Sequence, residues 1–236
     1  MSENFALVTG ASRGIGFAIS KVLLELGYTV YGICRNSKNC SIQNQKFHLI
    51  ECDLSHPKAI HQLLDTLPNR EKLNILIHNA GIASFGPIEE LSPDKIVEMV
   101  QVNLTAPMLI TNGLTRFIKQ NKGHIIFIGS VSGNQVSPWG NVYGSLKAGL
   151  HQFSRLLFDE LRKFSVKVNL LVPDITKTSF YDSLNIEPDQ DPESYLLPEQ
   201  IATIVKQLLL DAPGMIVPEI HISPQLFKIK RKKFLK

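Results

Sequence analysis

The sequence predicts an α/β protein built on a doubly wound parallel β-sheet of about seven strands, with helices on both faces. Three observations carry this prediction. Short apolar runs alternate with amphipathic stretches of helical period from the first residues onward. The runs are continuously apolar, as strands covered on both faces must be. The strand–helix–strand order implies parallel neighbours joined by crossovers, and no solenoid repeat or low-complexity linker interrupts it.

Phe5-Ala-Leu-Val8 reads as a buried first strand, and Ile15 to Leu26 as a helix ended by Gly27. Thr29 to Ile33 and Phe47 to Ile50 are the second and third strands, followed by a helical pattern from His56 to Leu67. Leu73 to Ile77 is the fourth strand. The long helical region from Pro93 to Lys119 contains Pro107, which predicts a kink or a break there. His124 to Ile128 is the fifth strand, Val142 to Phe164 a long helix, and Val166 to Val172 the sixth strand. Ser179 to Pro198 breaks the pattern, with five acids (Asp182, Glu187, Asp189, Asp191, Glu193) and no lysine or arginine. A stretch of this kind inside a compact domain is read as a substrate lid or binding loop. Pro198 to Leu210 resumes as helix, and Ile216 to Ile222 is the last strand. One domain over residues 1–227 with a basic tail over 228–236 accounts for the chain.

Charge and cysteine usage narrow the class. Of the net charge of +4, the tail Lys228-Ile-Lys-Arg-Lys-Lys-Phe-Leu-Lys236 supplies six positive charges, leaving −2 for the rest. The body is therefore close to neutral. Its tail is read as a solvated terminus, with contact to nucleic acid or an anionic membrane as the alternative. No apolar run approaches the roughly 20 residues of a spanning helix, and Met1 to Val8 carries no basic leader, so a cytoplasmic protein is expected. Cys34, Cys40 and Cys52 are odd in number and lack ligand spacing, which argues against a disulfide framework and against a metal site.

Gly10, Gly14 and Gly16 follow the first strand and open the first helix, in the spacing G-x-x-x-G-x-G. Glycine serves there because the backbone turns tightly and approaches a phosphate, which the helix N-terminus also attracts. A site for NAD would place an acid at the end of the second strand to hold the ribose 2′-hydroxyl. This chain has Ile33-Cys-Arg-Asn36 there, and Arg13 within the glycine turn. Arg13 and Arg35 favour a 2′-phosphate, hence NADP(H) over NAD(H). Asp53 ends the third strand and is read either as an acceptor for the adenine amino group or as a helix N-cap. Asn79-Ala-Gly81 ends the fourth strand, where ligands bind in open α/β sheets.

Tyr143 and Lys147 lie four residues apart, which on a helix puts them on one face, a turn apart. An ammonium beside a phenol favours the phenolate, so this pairing predicts a tyrosine pKa below the usual value of about 10. Ser130 lies thirteen residues before the tyrosine.

With these motifs together, the chain resembles the short-chain dehydrogenase/reductase family in its single-domain form, over almost its whole length. Thr9-Gly-Ala-Ser-Arg-Gly-Ile-Gly16 is similar to the family's glycine turn, which brings Ser12 and Ile15 into the cofactor set beside Gly10, Arg13, Gly14 and Gly16. Asp53 with Leu54, and Asn79, Ala80 and Gly81, resemble its adenine-side and central-strand motifs. Asn103, Ser130, Tyr143 and Lys147 match its active-site set, and Pro173, Thr176 and Thr178 its nicotinamide-side segment. The resemblance implies a Rossmann-like fold, reversible hydride transfer to a small-molecule carbonyl or from an alcohol, Tyr143 as proton donor, Ser130 as hydrogen-bond donor, and Lys147 as holder of the coenzyme ribose. Asn103 is expected to orient Lys147 and a relay water. A homodimer or homotetramer is implied, with no nucleic-acid and no membrane partner. The chain departs from the family at His78, at Asp174 where a glycine is usual, and at Glu219-Ile-His-Ile-Ser-Pro224. Phe85, Val136, Trp139, Phe180 and Tyr181 flank the site in sequence and are read as pocket lining or as ordinary core. The acid-rich segment offers no anchor for an anion, which favours an uncharged, apolar substrate. The rival reading is a non-catalytic NADP-binding regulatory protein on the same fold.

Overall fold

The computed structural model describes residues 4–136, 139–210 and 214–232. Seven strands form one sheet in the order β3-β2-β1-β4-β5-β6-β8. They are β1 (Phe5–Thr9), β2 (Thr29–Cys34), β3 (Phe47–Glu51), β4 (Leu73–His78), β5 (His124–Ile128), β6 (Lys167–Pro173) and β8 (Glu219–Ile222). Every neighbouring pair is parallel. All residues of β1, β2 and β5 are buried, which is why these runs read as continuously apolar.

Two helical layers cover the faces. On one, α2 (Pro57–Thr66), α4 (Ala106–Gln120) and α5 (Asn141–Leu161) pack Leu63, Ile110, Leu114 and Leu157 against Leu7, Leu76 and Phe127. On the other, α1 (Gly14–Glu25) and α6 (Pro198–Leu209) pack Ile19, Leu23, Ile201 and Val205 against Val8, Ile77 and Ile126. The strand order reverses between β1 and β4, and a crevice opens at their carboxyl ends. That is where open α/β sheets bind ligands.

Of the kink or break expected at Pro107, the structure shows no break but a local irregularity in a continuous helix. α3 (Pro93–Val100) runs into a π-helical turn (Gln101–Thr105) and on into α4, with right-handed helical angles at Val100, Thr105 and Ala106. Pro107 cannot donate to the carbonyl four residues back, that of Asn103, and the helix widens there instead of ending.

The tail also differs from a solvated terminus. β9 (Ile229–Arg231) pairs antiparallel with β7 (Ile186–Pro188), which lies inside the acid-rich segment. Lys228 and Lys230 form ion pairs with Asp191 and Asp189 at 2.7 and 3.4 Å. The Lys232 ammonium donates to the carbonyls of Tyr181 and Asp182. The basic and acidic runs answer one another across this ribbon. Ion pairs this exposed are screened by solvent and contribute little, so the ribbon's backbone bonds matter as much as its charges. Residues 233–236 of the predicted tail lie outside the described residues.

Candidate active site

The glycine turn forms because β1 must reverse into α1 within a few residues. Gly10 and Gly14 have φ of +69° and +58°, angles that glycine adopts without strain. The N–H groups of Gly10 and Ala11 donate to the Ile33 carbonyl and tie the turn to β2. α1 then begins with Arg13 as an N-cap that makes no side-chain cap bond, and no acid stands in its first turn. The first N–H groups of this helix therefore point at the crevice uncapped, a site suited to an anion. β4 is stitched to the same turn. The Thr9 hydroxyl accepts from the Asn79 and Ala80 N–H groups, and the Asn79 amide donates to the carbonyls of Thr9 and Gly10.

A cavity of about 440 Å3 runs from this turn to α5. Gly10, Ser12, Arg13, Gly14, Ile15, Arg35, Asp53, Leu54, Asn79, Ala80, Gly81, Ser130, Tyr143, Lys147, Pro173, Thr176 and Thr178 line it. Two expected residues stand behind its wall. Gly16 packs against the Gly10 carbonyl. Asn103 is buried in the π turn and donates from its amide to the Ile82 and Met99 carbonyls, while its oxygen accepts from the Ile82 N–H. The Asn103 side chain thus clamps the segment after Asn79-Ala-Gly81 and makes no bond to Lys147, contrary to the orienting contact the resemblance implies.

The end of the cavity beside β2 carries two arginines, Arg13 and Arg35. Arg35 follows β2, opposite Asp53, and its guanidinium lies 3.8 Å from the Glu98 carboxylate, a loose pair. Asp53 accepts from the Ser55 N–H and hydroxyl at 2.9 and 2.8 Å, so it serves as a turn cap while still facing the cavity. Burial works to raise its pKa, but the bonds from Ser55 outweigh it and hold the carboxyl below its ordinary range. Asn36, Cys34, Cys52, Ile82 and Val102 also line the cavity and were not singled out by sequence. Their signal was adjacency to strand ends, which many residues share.

At the other end, Tyr143 and Lys147 project from one face of α5 and both are buried. Ser130 sits just after β5, with its Oγ accepting from the Ser132 N–H at 3.2 Å. The Lys147 ammonium donates to the Ile128 carbonyl at 3.0 Å and lies 5.8 Å from the Tyr143 ring centre. Here the electrostatics correct the expectation from spacing. Burial pushes the Tyr143 phenol up to about 12, with a hydrogen bond from Ser130 acting in the lowering direction. Burial brings Lys147 down to about 8. Desolvation disfavours the charged form of each group and is the largest cause of both shifts. Tyr143 in this structure is a protonated phenol, the form that donates.

The Lys147 shift predicts a pH limit. Its pKa is depressed, so the ammonium is complete well below pH 8 and is lost as pH rises through that value. kcat/KM for the reduced coenzyme reports the free enzyme. It should be level at neutral pH and decline with a single ionisation near pH 8. A profile flat to pH 10 would remove Lys147 charge from the account.

Asp174 replaces a glycine without strain, since it is not among the residues with positive φ. Its N–H donates to the Ile222 carbonyl and its own carbonyl accepts from the Thr176 hydroxyl. Around Tyr143, Ala83 and Leu184 are buried, with Phe85, Phe180, Tyr181 and Ile186 packed against them. The rings of Phe85 and Phe180 lie 5.7 and 6.0 Å from that of Tyr143. Val136, also expected near the pocket, is fully exposed. Trp139 has φ of +64° and its carbonyl accepts from the Gly86 N–H. Among the described residues, no group of His, Cys, Asp and Glu could hold a metal, and no helix is long and apolar enough to cross a membrane.

A doubly wound sheet with an uncapped helix N-terminus at its switch point, and a phenol, hydroxyl and ammonium at the far end of one cavity, defines a dinucleotide-dependent oxidoreductase. Residues 4–189 match the short chain dehydrogenase family, and the chain belongs to this family of NAD(P)-dependent dehydrogenases and reductases acting on CH–OH groups. The NADPH-dependent 1-acyldihydroxyacetone phosphate reductase of Saccharomyces cerevisiae is 33% identical over 175 residues, covering 70% of this chain and 59% of that longer protein. The 3-oxoacyl-[acyl-carrier-protein] reductase FabG of Aquifex aeolicus is 32% identical over 239 residues, covering 94% of this chain and 96% of its own. Among solved structures, an alcohol dehydrogenase from Thermococcus sibiricus, complexed with 5-hydroxy-NADP, superimposes with a TM-score of 0.84 at 24% identity and covers 99% of this chain and 100% of its own.

Proposed function

We propose that this protein is an NADP(H)-preferring enzyme that interconverts a small, uncharged, largely apolar carbonyl compound and its alcohol. One observation carries the reading: a single cavity has Arg13, Arg35 and the glycine turn at one end and Ser130, Tyr143 and Lys147 at the other. The coenzyme fits the cradle, because the turn has no side chain where the phosphates would approach and offers uncapped helix N–H groups. The nicotinamide supplies or accepts the hydride when bound. In reduction, Tyr143 donates its proton to the carbonyl oxygen. The Ser130 hydroxyl donates a hydrogen bond to the same oxygen, where such a preorganised donor contributes a few kcal/mol (about 3). Lys147 holds the ribose and keeps a positive charge beside the phenol. Asn103 fixes the Asn79–Ile82 segment, which forms the cavity floor.

The coenzyme preference rests on Arg13, Arg35 and the missing acid after β2. The yeast relative, by its name, uses NADPH. The substrate class rests on the apolar group around Tyr143 and on Asp174, the charged side chain of the substrate end other than Lys147 among the lining residues. A carboxylate or phosphate there would face the Asp174 carboxylate. The test is a panel of uncharged ketones and aldehydes beside carboxylate and phosphate analogues, each with NADPH and NADH. Uncharged carbonyls with NADPH should turn over best. The double variant Arg13→Ala/Arg35→Ala should raise the KM for NADPH by roughly two orders of magnitude, from two lost charge-assisted bonds, with little change for NADH. Tight NADPH binding with no turnover across the panel would favour the regulatory reading instead.

A further inference from the structure

We infer that His151 is a positioning residue for Ser130, gripping the backbone of the catalytic serine from behind; the inference rests on the reading of Ser130 as a donor to the carbonyl oxygen. His151 continues the face of α5 that carries Tyr143 and Lys147, one turn further on. It is fully buried. The Ser130 N–H donates to its Nε2 at 3.3 Å, and its Nδ1 lies 3.0 Å from the Asn134 Oδ1. A ring nitrogen that accepts carries no proton, so Nδ1 carries it and donates to Asn134. The two partners together select one tautomer of the ring.

The loop is shaped to the ring. A Cβ on Gly129 would come 2.3 Å from Nε2, and one on Gly133 would come 2.6 Å from Cε1. Glycine at both positions lets the 129–134 turn close on the imidazole. Burial, with Lys147 and Arg155 acting in the same direction, lowers the His151 pKa to about 4, which keeps the ring able to accept at neutral pH. The consequence falls on Ser130. Its N–H is fixed by His151 and its Oγ accepts from the Ser132 N–H, so the hydroxyl proton is directed to the Tyr143 phenol and the cavity that phenol lines. No other side chain bonds to the Ser130 N–H among the described residues. A direction error of a few tenths of an ångström at this backbone passes straight to the donor.

The test is a double-mutant cycle between His151 and Ser130, with a conservative rescue. His151→Leu keeps the volume and removes both bonds; it should cut kcat roughly 10- to 100-fold while the Kd for NADPH stays within about twofold. His151→Gln can present an acceptor to Ser130 and a donor to Asn134, and should recover most of kcat. Combined with Ser130→Ala, His151→Leu should cost almost nothing more, because the group it positions is gone. Losses that multiply in the double variant would overturn the inference, as would a His151→Leu enzyme with normal kcat. If His151→Leu does not fold, Asn134→Ala takes its place: the ring then loses its tautomer partner, kcat should fall, and unchanged kcat would overturn the inference. If Ser130→Ala itself keeps full turnover, the fault lies in the role of Ser130 and not in the grip of His151.

Discussion

Tyr143→Phe will bind NADPH normally and lose at least about three orders of magnitude in turnover, the upper part of what a positioned general acid contributes. The substitution removes one oxygen from a buried ring and leaves its packing against Phe85 and Phe180 in place. The fold and the coenzyme cradle have no reason to change. The cavity does hold a second phenol, Tyr181, and it is the natural alternative donor. Its chemistry argues against that role. Burial pushes its pKa well above the ordinary value, the neighbouring phenol and Asp174 add to the shift, and the Thr176 backbone acts in the lowering direction. Tyr181→Phe should therefore change kcat by less than about tenfold, within the effect of one neutral hydrogen bond. The comparison is read by single-turnover reduction with pre-bound NADPH and by fluorescence titration of the coenzyme. Retained hydride transfer in Tyr143→Phe, with loss in Tyr181→Phe, would move the donor to Tyr181.

The sheet was legible because parallel strands buried on both faces leave unbroken apolar runs, as in Phe5-Ala-Leu-Val8 and His124-Ile-Ile-Phe-Ile128. The glycine turn was legible because its spacing directly follows the first of those strands. The β7–β9 ribbon was not. β7 holds a proline, and β9 lies in a run of lysines and arginine, so neither shows apolar alternation. Their pairing depends on acids near 190 meeting bases near 230, which is a relation in space. The protonation of the site was illegible for a related reason. Spacing placed Lys147 beside Tyr143 but carried no measure of how deeply both are buried, and burial governs both shifts. His151 carried one faint signal, its place on the same helical face as the pair. A histidine at such a position is more often core than site, and only its two bonds single it out. The Asn103 side chain was placed at the site by resemblance, but its contacts follow from the π turn, which brings its amide to Ile82 and Met99.

Gly16→Ala will cost coenzyme affinity at least about 50-fold and global stability about 1–3 kcal/mol, the usual range for forcing volume into packed structure. Gly16 is helical and has no positive φ, so alanine suits its conformation and even its helix. The obstacle is space alone. Its Cβ would lie 2.3 Å from the Gly10 carbonyl oxygen and 2.5 Å from the Asn79 amide nitrogen. Those two atoms are themselves joined by a hydrogen bond of 3.2 Å, and the same Asn79 amide holds the Thr9 carbonyl. Neither can withdraw without opening the seam between β1 and β4, so α1 must move away from the turn. Its uncapped N–H groups then leave the position where they meet the phosphates. Gly27→Ala is the matched control. Its φ of +89° makes alanine strained, yet nothing lies within 4 Å of the added carbon. That variant should lose about 1–2 kcal/mol of stability from backbone strain and bind NADPH as before. Thermal denaturation with and without NADPH separates the two: the coenzyme-induced rise in Tm should survive in Gly27→Ala and shrink or vanish in Gly16→Ala. Equal stabilisation of both by NADPH would mean that the close approach of α1 to the turn is not what holds the phosphates.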